Sequence, residues 1–294
     1  MKKILKQYKS LLKPLPLEGG PDLLVFRPLA FILVHILKHF PITPNQVSFS
    51  ALFTGLLTAV FFSMGTRKSF LWAGICYGIT VTLDCADGML ARLKNSGSTM
   101  GRIIDGVVDY INSFAVMFGL NFGILKMNLA LPFGWSPWIW MSIAGFPMIL
   151  HCMVVDYYRN QFAIHALGIK KPDFDETKQF ERMHAISVKK NRSCLERLVL
   201  RIAVGYSRIQ KNITVKPHVY DREEYYRKNF WTLRLWLSIE LSMHILAVMI
   251  SGFLYEPRVF MVYSIVFANA LMLILGPIQY YVNKRIVSKD PPGN

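Results

Sequence analysis

The sequence is poor in acid. It has 18 Asp and Glu against 34 Lys and Arg, a formal charge of +16, so anionic lipid, nucleic acid and phosphorylated ligands are the partners this balance favours. Cysteine is scarce too. Cys76, Cys85, Cys152 and Cys194 form no CxxC pair and no Cys/His spacing suited to zinc, which leaves a disulfide framework or a zinc ribbon without material. The opening MKKILKQYKSLLK lacks the continuous apolar core and small-residue cleavage site of a secretory signal, and is expected to stay in the mature protein. Internal repeats, heptad arrays and low-complexity tracts are also missing.

Apolar residues, by contrast, are in excess. The chain is 53% hydrophobic with 20 Phe, 14 Met and 6 Trp, more than a soluble domain of 294 residues spends on its core. A helix needs about 20 apolar residues to cross ~30 Å of hydrocarbon. Six stretches qualify: 45–64, 69–90, 101–125, 137–157, 230–254 and 258–282. Residues 22–40 hold too short an apolar run to span. Arg27 and Lys38 lie about three turns apart there, on one stripe of an otherwise apolar helix, which predicts a helix lying in the interface. The expected fold is therefore an all-α membrane protein of six transmembrane helices preceded by an interfacial amphipathic helix.

Charge placement agrees with six spans. With a cytoplasmic N-terminus, only Arg67, Lys68, Lys126 and Arg258 of the 34 basic residues fall outside. This predicts cytoplasmic termini, in a cell inner membrane. The chain divides into 1–157, with the interfacial helix and four spans, a basic cytoplasmic insertion at 158–229, and 230–294, with two spans and a tail at 288–294 that reads as frayed. Residues 158–228 hold 16 Lys and Arg against eight Asp and Glu. Within them, 193–209 places Arg197, Arg201 and Arg208 on one face of a surface helix. An anionic inner leaflet accounts for this charge, so nucleic acid is not expected as a partner.

The informative stretch is DCADGMLARLKNSGSTMGRIIDGVVDY, which begins at Asp84. On a helix, Asp84, Asp87, Gly88 and Ala91 fall at i, i+3, i+4 and i+7 and share one stripe, with Arg92 beside it. After a polar turn, Gly101, Asp105 and Asp109 repeat at i, i+4 and i+8. Two antiparallel helices would thus bring four carboxylates together. A charge at mid-span costs ~2.5–3.5 kcal/mol, so such a group needs compensation. Oxygen-only ligands suit Mg²⁺ or Mn²⁺, and two such ions could neutralise a diphosphate and support displacement at phosphorus. Gly88 and Gly101 would let a nucleotide approach the backbone, and Arg92 could meet a phosphate. The blander reading, salt bridges at a wet helix end, suits any one Asp but not the array. Elsewhere, Glu240 and His244 read as an internal hydrogen-bonded pair, and the Tyr pairs at 157–158, 225–226 and 280–281 as interface anchors.

Asp84, Asp87, Gly88, Ala91, Arg92, Gly101, Asp105 and Asp109 match the signature D-x2-D-G-x2-A-R-x8-G-x3-D-x3-D. In this the chain resembles the CDP-alcohol phosphotransferase (phosphatidyltransferase) family, as it does in TPNQVS at the first span and in its six spans. The resemblance implies that Asp84, Asp87 and Asp105 bind two Mg²⁺ or Mn²⁺ ions, and that Asp109 shares in metal binding and is the catalytic base. It further implies that Gly88, Arg92 and Ser98 contact the CDP-linked donor, that Asn45 and Ser48 help hold the nucleotide beside the small residues Ala91 and Gly101, and that the protein is a homodimer. DGMLAR looks more like the branch that moves phosphatidyl from CDP-diacylglycerol to a polar alcohol than the branch that moves phosphocholine or phosphoethanolamine from CDP-choline or CDP-ethanolamine to diacylglycerol. Arg159, Arg227 and Lys228, beside inner span ends, favour a phosphorylated acceptor. An ion-coupled transporter is the reading of another class, and it would scatter its polar residues over several spans.

Overall fold

The computed structural model describes residues 2–169, 175–189, 197, 200, 201, 204, 205 and 220–286. The N-terminal segment folds into α1 (Lys2–Leu11), an irregular run, one π turn at Asp22–Phe26 and α2 (Arg27–Leu37). Thr43 and Gln46 then form a reciprocal cap that opens α3 (Pro44–Ser63), and Thr66 with Ser69 does the same for α4 (Arg67–Leu93). Between them Gly65 takes φ +72, a backbone a side chain would strain. Asn95 holds a left-handed position in the polar turn that follows α4. Ser98 then caps α5 (Thr99–Lys126).

The remaining helices are α6 (Pro137–His165), α7 (Asp175–Lys189), α8 (Arg222–Trp236), α9 (Leu241–Leu254) and α10 (Arg258–Lys284), the last with a π turn at Tyr263–Ala268. Six crossings are long and apolar enough to span a membrane: α3, α4, α5, α6, α8 with α9, and α10. Among the described residues there is no strand. Large apolar side chains such as Phe53, Trp72, Phe114, Phe146 and Leu273 point outward, as a lipid-facing surface requires.

Two layers share the work. In the first, α3 packs closely on both α4 and α5. A Cβ on Gly119 would lie 2.2 Å from the Ala59 carbonyl oxygen, and one on Gly123 2.3 Å from that of Phe62, so α3 and α5 touch backbone to backbone. Phe62, Phe70, Met89, Leu90, Leu120 and Ile124 fill the core beside this seam. Asn112 Nδ2 adds a bond across it to the Ala51 carbonyl at 3.1 Å.

The second layer, α6 with α8 and α10, has its own apolar cluster around Val155, Phe162, Leu233, Trp236 and Leu275, whereas α9 packs chiefly on α4 and adds Ala247 and Val248 to the first core. His151 lies 3.2 Å from His244 and 3.1 Å from Asn269, and Trp236 Nε1 donates to Gln279 Oε1 at 3.2 Å. The fifth crossing is broken. After a 3₁₀ turn at Leu237–Ile239, Glu240 takes extended backbone (φ −73, ψ 172) before α9 resumes.

Several expectations change here. The helices of the fourth and fifth crossings are each about two turns longer than their apolar stretches, because α6 runs on to His165 and α8 already starts at Arg222. Packing of Phe162 on Tyr225 and Tyr226, and the Asp221 cap, carry both helices past the apolar stretch. Arg27 does not face the interface: it is buried and its Nε donates to Glu18 Oε2 at 3.4 Å. His244 Nδ1 meets the backbone carbonyl of Glu240 rather than its carboxylate, which pairs with Arg159. Tyr225 is buried and Tyr158 stacks on Trp236, whereas Tyr280 and Tyr281 are exposed. Most of the surface helix expected at 193–209 and all of the tail at 288–294 lie outside the described residues.

Candidate active site

The last three turns of α4 and the first three of α5 both pack on α3. Their packing brings one carboxylate oxygen from each of Asp84, Asp87 and Asp105 within 4.8 Å of the others. Asp109, one turn further along α5, touches the carboxyl of Asp84. The stripe spacing on each helix thus delivers all four acids to one place. Ser48, in the second turn of α3, sits 2.5 Å from Asp87 Oδ2 and 3.2 Å from the Pro44 carbonyl. A hydroxyl has one proton, and the shorter contact takes it. Ser48 therefore fixes one Asp87 oxygen and leaves the other for a ligand.

Asp105 Oδ1 is buried, and no hydrogen-bond partner reaches it among the described residues. Such an oxygen in a low-dielectric setting calls for a cation. Three converging carboxylate oxygens, one of them orphaned, fit a hard divalent ion in both geometry and donor type.

Around the acids the small residues clear space. A Cβ on Gly88 would meet only the Arg92 guanidinium, at 3.9 Å. A Cβ on Gly101 would lie 3.1 Å from Ser98 Oγ and 3.3 Å from Asn45 Oδ1, so Asn45, Ser98 and Gly101 meet at the rim. Ser98 accepts from Gly101 N at 2.9 Å and is exposed, which makes it a helix cap first. Ala91 is half-buried on the same turn. Arg92 is exposed, and its Nε donates to the Leu11 carbonyl at 2.8 Å.

That last bond reveals a part of the site the sequence did not announce. Residues 11–27 run from the C-terminal end of α4, where Leu11 meets Arg92, past α6 and α8. Glu18 is buried and accepts from Lys13 N at 3.1 Å and from Arg27 Nε, while its carbonyl accepts from Arg234 Nη1 at 2.8 Å. Asp22, on the same segment, accepts from Ser242 Oγ at 2.9 Å. Burial raises its carboxyl above the ordinary range, against the hydrogen bond from Ser242 and the charge of Arg27. The one sequence signal was EGGPD, a turn-forming string: a Cβ on Gly19 would collide with the Glu240 carboxylate.

A model of the CDP-alcohol phosphatidyltransferase family matches residues 41–189, just over half of the chain, and the match takes in all four acids, Ser48 and Arg92. The chain belongs to this family. The family is one of membrane-bound transferases, and the six apolar crossings of this chain fit a multi-pass membrane protein. A phosphatidylinositol phosphate synthase of Corynebacterium glutamicum is 26% identical over 99 residues, which is 34% of this chain and 42% of that protein. The match therefore spans less than half the length of that relative. Lys13, Glu18 and Arg27 lie outside the matched residues.

Proposed function

We propose that this protein transfers the phosphatidyl group of CDP-diacylglycerol to a polar, phosphorylated alcohol and releases CMP. The observation that carries the reading is the convergence of Asp84, Asp87 and Asp105 with an unpartnered oxygen, inside a segment matched by the family. The phosphatidyl donor is supported by the family and by DGMLAR, and the phosphorylated acceptor by the basic excess and by the name of the C. glutamicum relative. Acceptors of this class include inositol phosphate and glycerol phosphate.

In this mechanism Asn45, Gly88, Ala91, Arg92, Ser98 and Gly101 line the nucleotide, with Gly88 giving clearance and Gly101 letting Asn45 and Ser98 close in beside it. Asp84, Asp87, Asp105 and Asp109 would hold two Mg²⁺ or Mn²⁺ ions, which supply charge neutralisation for the diphosphate and for the departing phosphate. Ser48 keeps Asp87 in its rotamer. Asp109 accepts the proton of the acceptor hydroxyl, whose oxygen then forms a bond to the donor's β-phosphorus. The bond from that phosphorus to the CMP oxygen breaks, and CMP carries away the electron pair.

Purified protein given CDP-diacylglycerol and a panel of alcohols should release CMP fastest with a phosphorylated acceptor. A chelator should abolish the activity and Mg²⁺ or Mn²⁺ restore it. Full turnover in metal-free buffer, or preference for an unphosphorylated alcohol such as serine, would overturn the corresponding half of the proposal. The reading also carries a homodimer, checked by light scattering in detergent, and an active site on the cytoplasmic face of a cell inner membrane.

A further inference from the structure

Arg92 stands one residue before the end of α4 and is exposed, a place where an arginine side chain ordinarily samples many rotamers. Here one bond holds it. Its Nε donates at 2.8 Å to the carbonyl of Leu11, 81 positions away in sequence. Leu11 closes α1, so this carbonyl belongs to a last turn that has no intrahelical partner and carries the negative end of the helix dipole. A guanidinium satisfies both conditions.

The bond uses Nε and leaves the N–H groups of both Nη nitrogens for a ligand. A Cβ on Gly88 would lie 3.9 Å from Arg92 Nη1 and from Nη2. Gly88 follows Asp87 and lies one turn from Asp84, so the two nitrogens flank the stripe that carries these acids. The carbonyl itself is anchored on both sides. Leu11 is buried in the first core, against which Tyr8 and Leu12 also pack, and the Tyr8 ring meets that of Phe31 on α2 edge to face at 5.1 Å. Two residues on, Lys13 N donates to Glu18 Oε1 at 3.1 Å, and Glu18 is tied to Arg27 and, through its carbonyl, to Arg234.

We propose that the N-terminal segment is a positioning element for the donor: the Leu11 carbonyl holds Arg92 so that both Nη nitrogens meet a phosphate of the CDP-linked lipid. The inference deepens the transferase reading and rests on it. A guanidinium set in advance offers its fork to two phosphate oxygens without first losing rotamer freedom, so the segment acts on donor affinity. It acts there only through Arg92.

Leu12→Pro tests this without touching the site. A proline disfavours helical backbone at the residue before it, which turns the Leu11 carbonyl away from Arg92. The donor KM should rise about tenfold, with the acceptor KM and kcat within about threefold. Leu11→Ala, which withdraws only the buried anchor, should move the donor KM the same way by about threefold, and it serves if the proline variant does not fold. In an Arg92→Gln background neither substitution should raise the donor KM further. A parental donor KM in both variants would overturn the proposal, and so would an equal rise with and without Arg92, the mark of a general structural role. If the parent releases no CMP with any acceptor, the transferase reading fails by itself. Calorimetric titration with CDP and Mg²⁺ still decides this one: about tenfold weaker binding in Leu12→Pro supports it, and equal binding in parent, Leu12→Pro and Leu11→Ala overturns it.

Discussion

Ser48 and Asp109 illustrate how far a residue's role can be reached from its neighbours. The i, i+3 and i, i+4 spacings put the four acids on facing stripes, and they meet in the fold as that periodicity implies. Ser48 was legible only through resemblance, since its bond to Asp87 spans 39 positions of sequence. Lys13 and Glu18 sit in an irregular segment with no period, where EGGPD signals only a turn and topology explains the five Lys before Asp22, and Arg27 opens α2 on a stripe that reads as interfacial. At this scale the test is Asp109→Asn. It should lower kcat by about a hundredfold or more, the size of a general-base contribution, with donor affinity less affected. Asp84→Ala should weaken donor binding as well. Near-parental turnover in Asp109→Asn would leave the assigned base without support.

Hydropathy located every crossing, because α3 to α6 and α10 are each continuous apolar helices, and it missed the interruption of the fifth. SIELSM contains neither Gly nor Pro, and the apolar content stays high on both sides of Glu240. What sets the break is a tertiary contact: the Glu240 carboxylate is drawn to Arg159 on α6 and against Gly19 of the N-terminal segment. Glu240 Oε1 and Arg159 Nε are both buried and lack a hydrogen-bond partner among the described residues, so the pair is incompletely satisfied. Removing one member leaves a buried charge, at a cost of about 3–5 kcal/mol, while replacing both with apolar residues is close to neutral. Accordingly Arg159→Met and Glu240→Met should each lower the melting temperature in detergent markedly, and the double variant should recover most of the loss. A double variant as unstable as the sum of the singles would show that each residue acts through other partners.

For the whole molecule, orientation is the open quantity, and the charge asymmetry fixes the expected answer. In a Cys-free background, reporters at Gly65 and Gly134, both in turns at one end of the bundle, should react with an impermeant thiol reagent in intact cells. A reporter at Gly168, past the end of α6, should react only after the membrane is opened. Labelling of the Gly168 reporter from outside would reverse the orientation. The Arg159–Glu240 pair has one more consequence, for how such a protein is made. The two residues are 81 positions apart. At synthesis rates of about 5–20 residues per second, that interval is roughly 4–16 s. During it the guanidinium has emerged and its buried carboxylate partner has not yet been translated, so only Asp156, one turn away, stands beside it. The three helices that carry Ser48 and the four acids have by then already left the ribosome. The part of the protein that performs chemistry is therefore the older part of every nascent chain, and it waits beside a fourth helix whose charge is settled last.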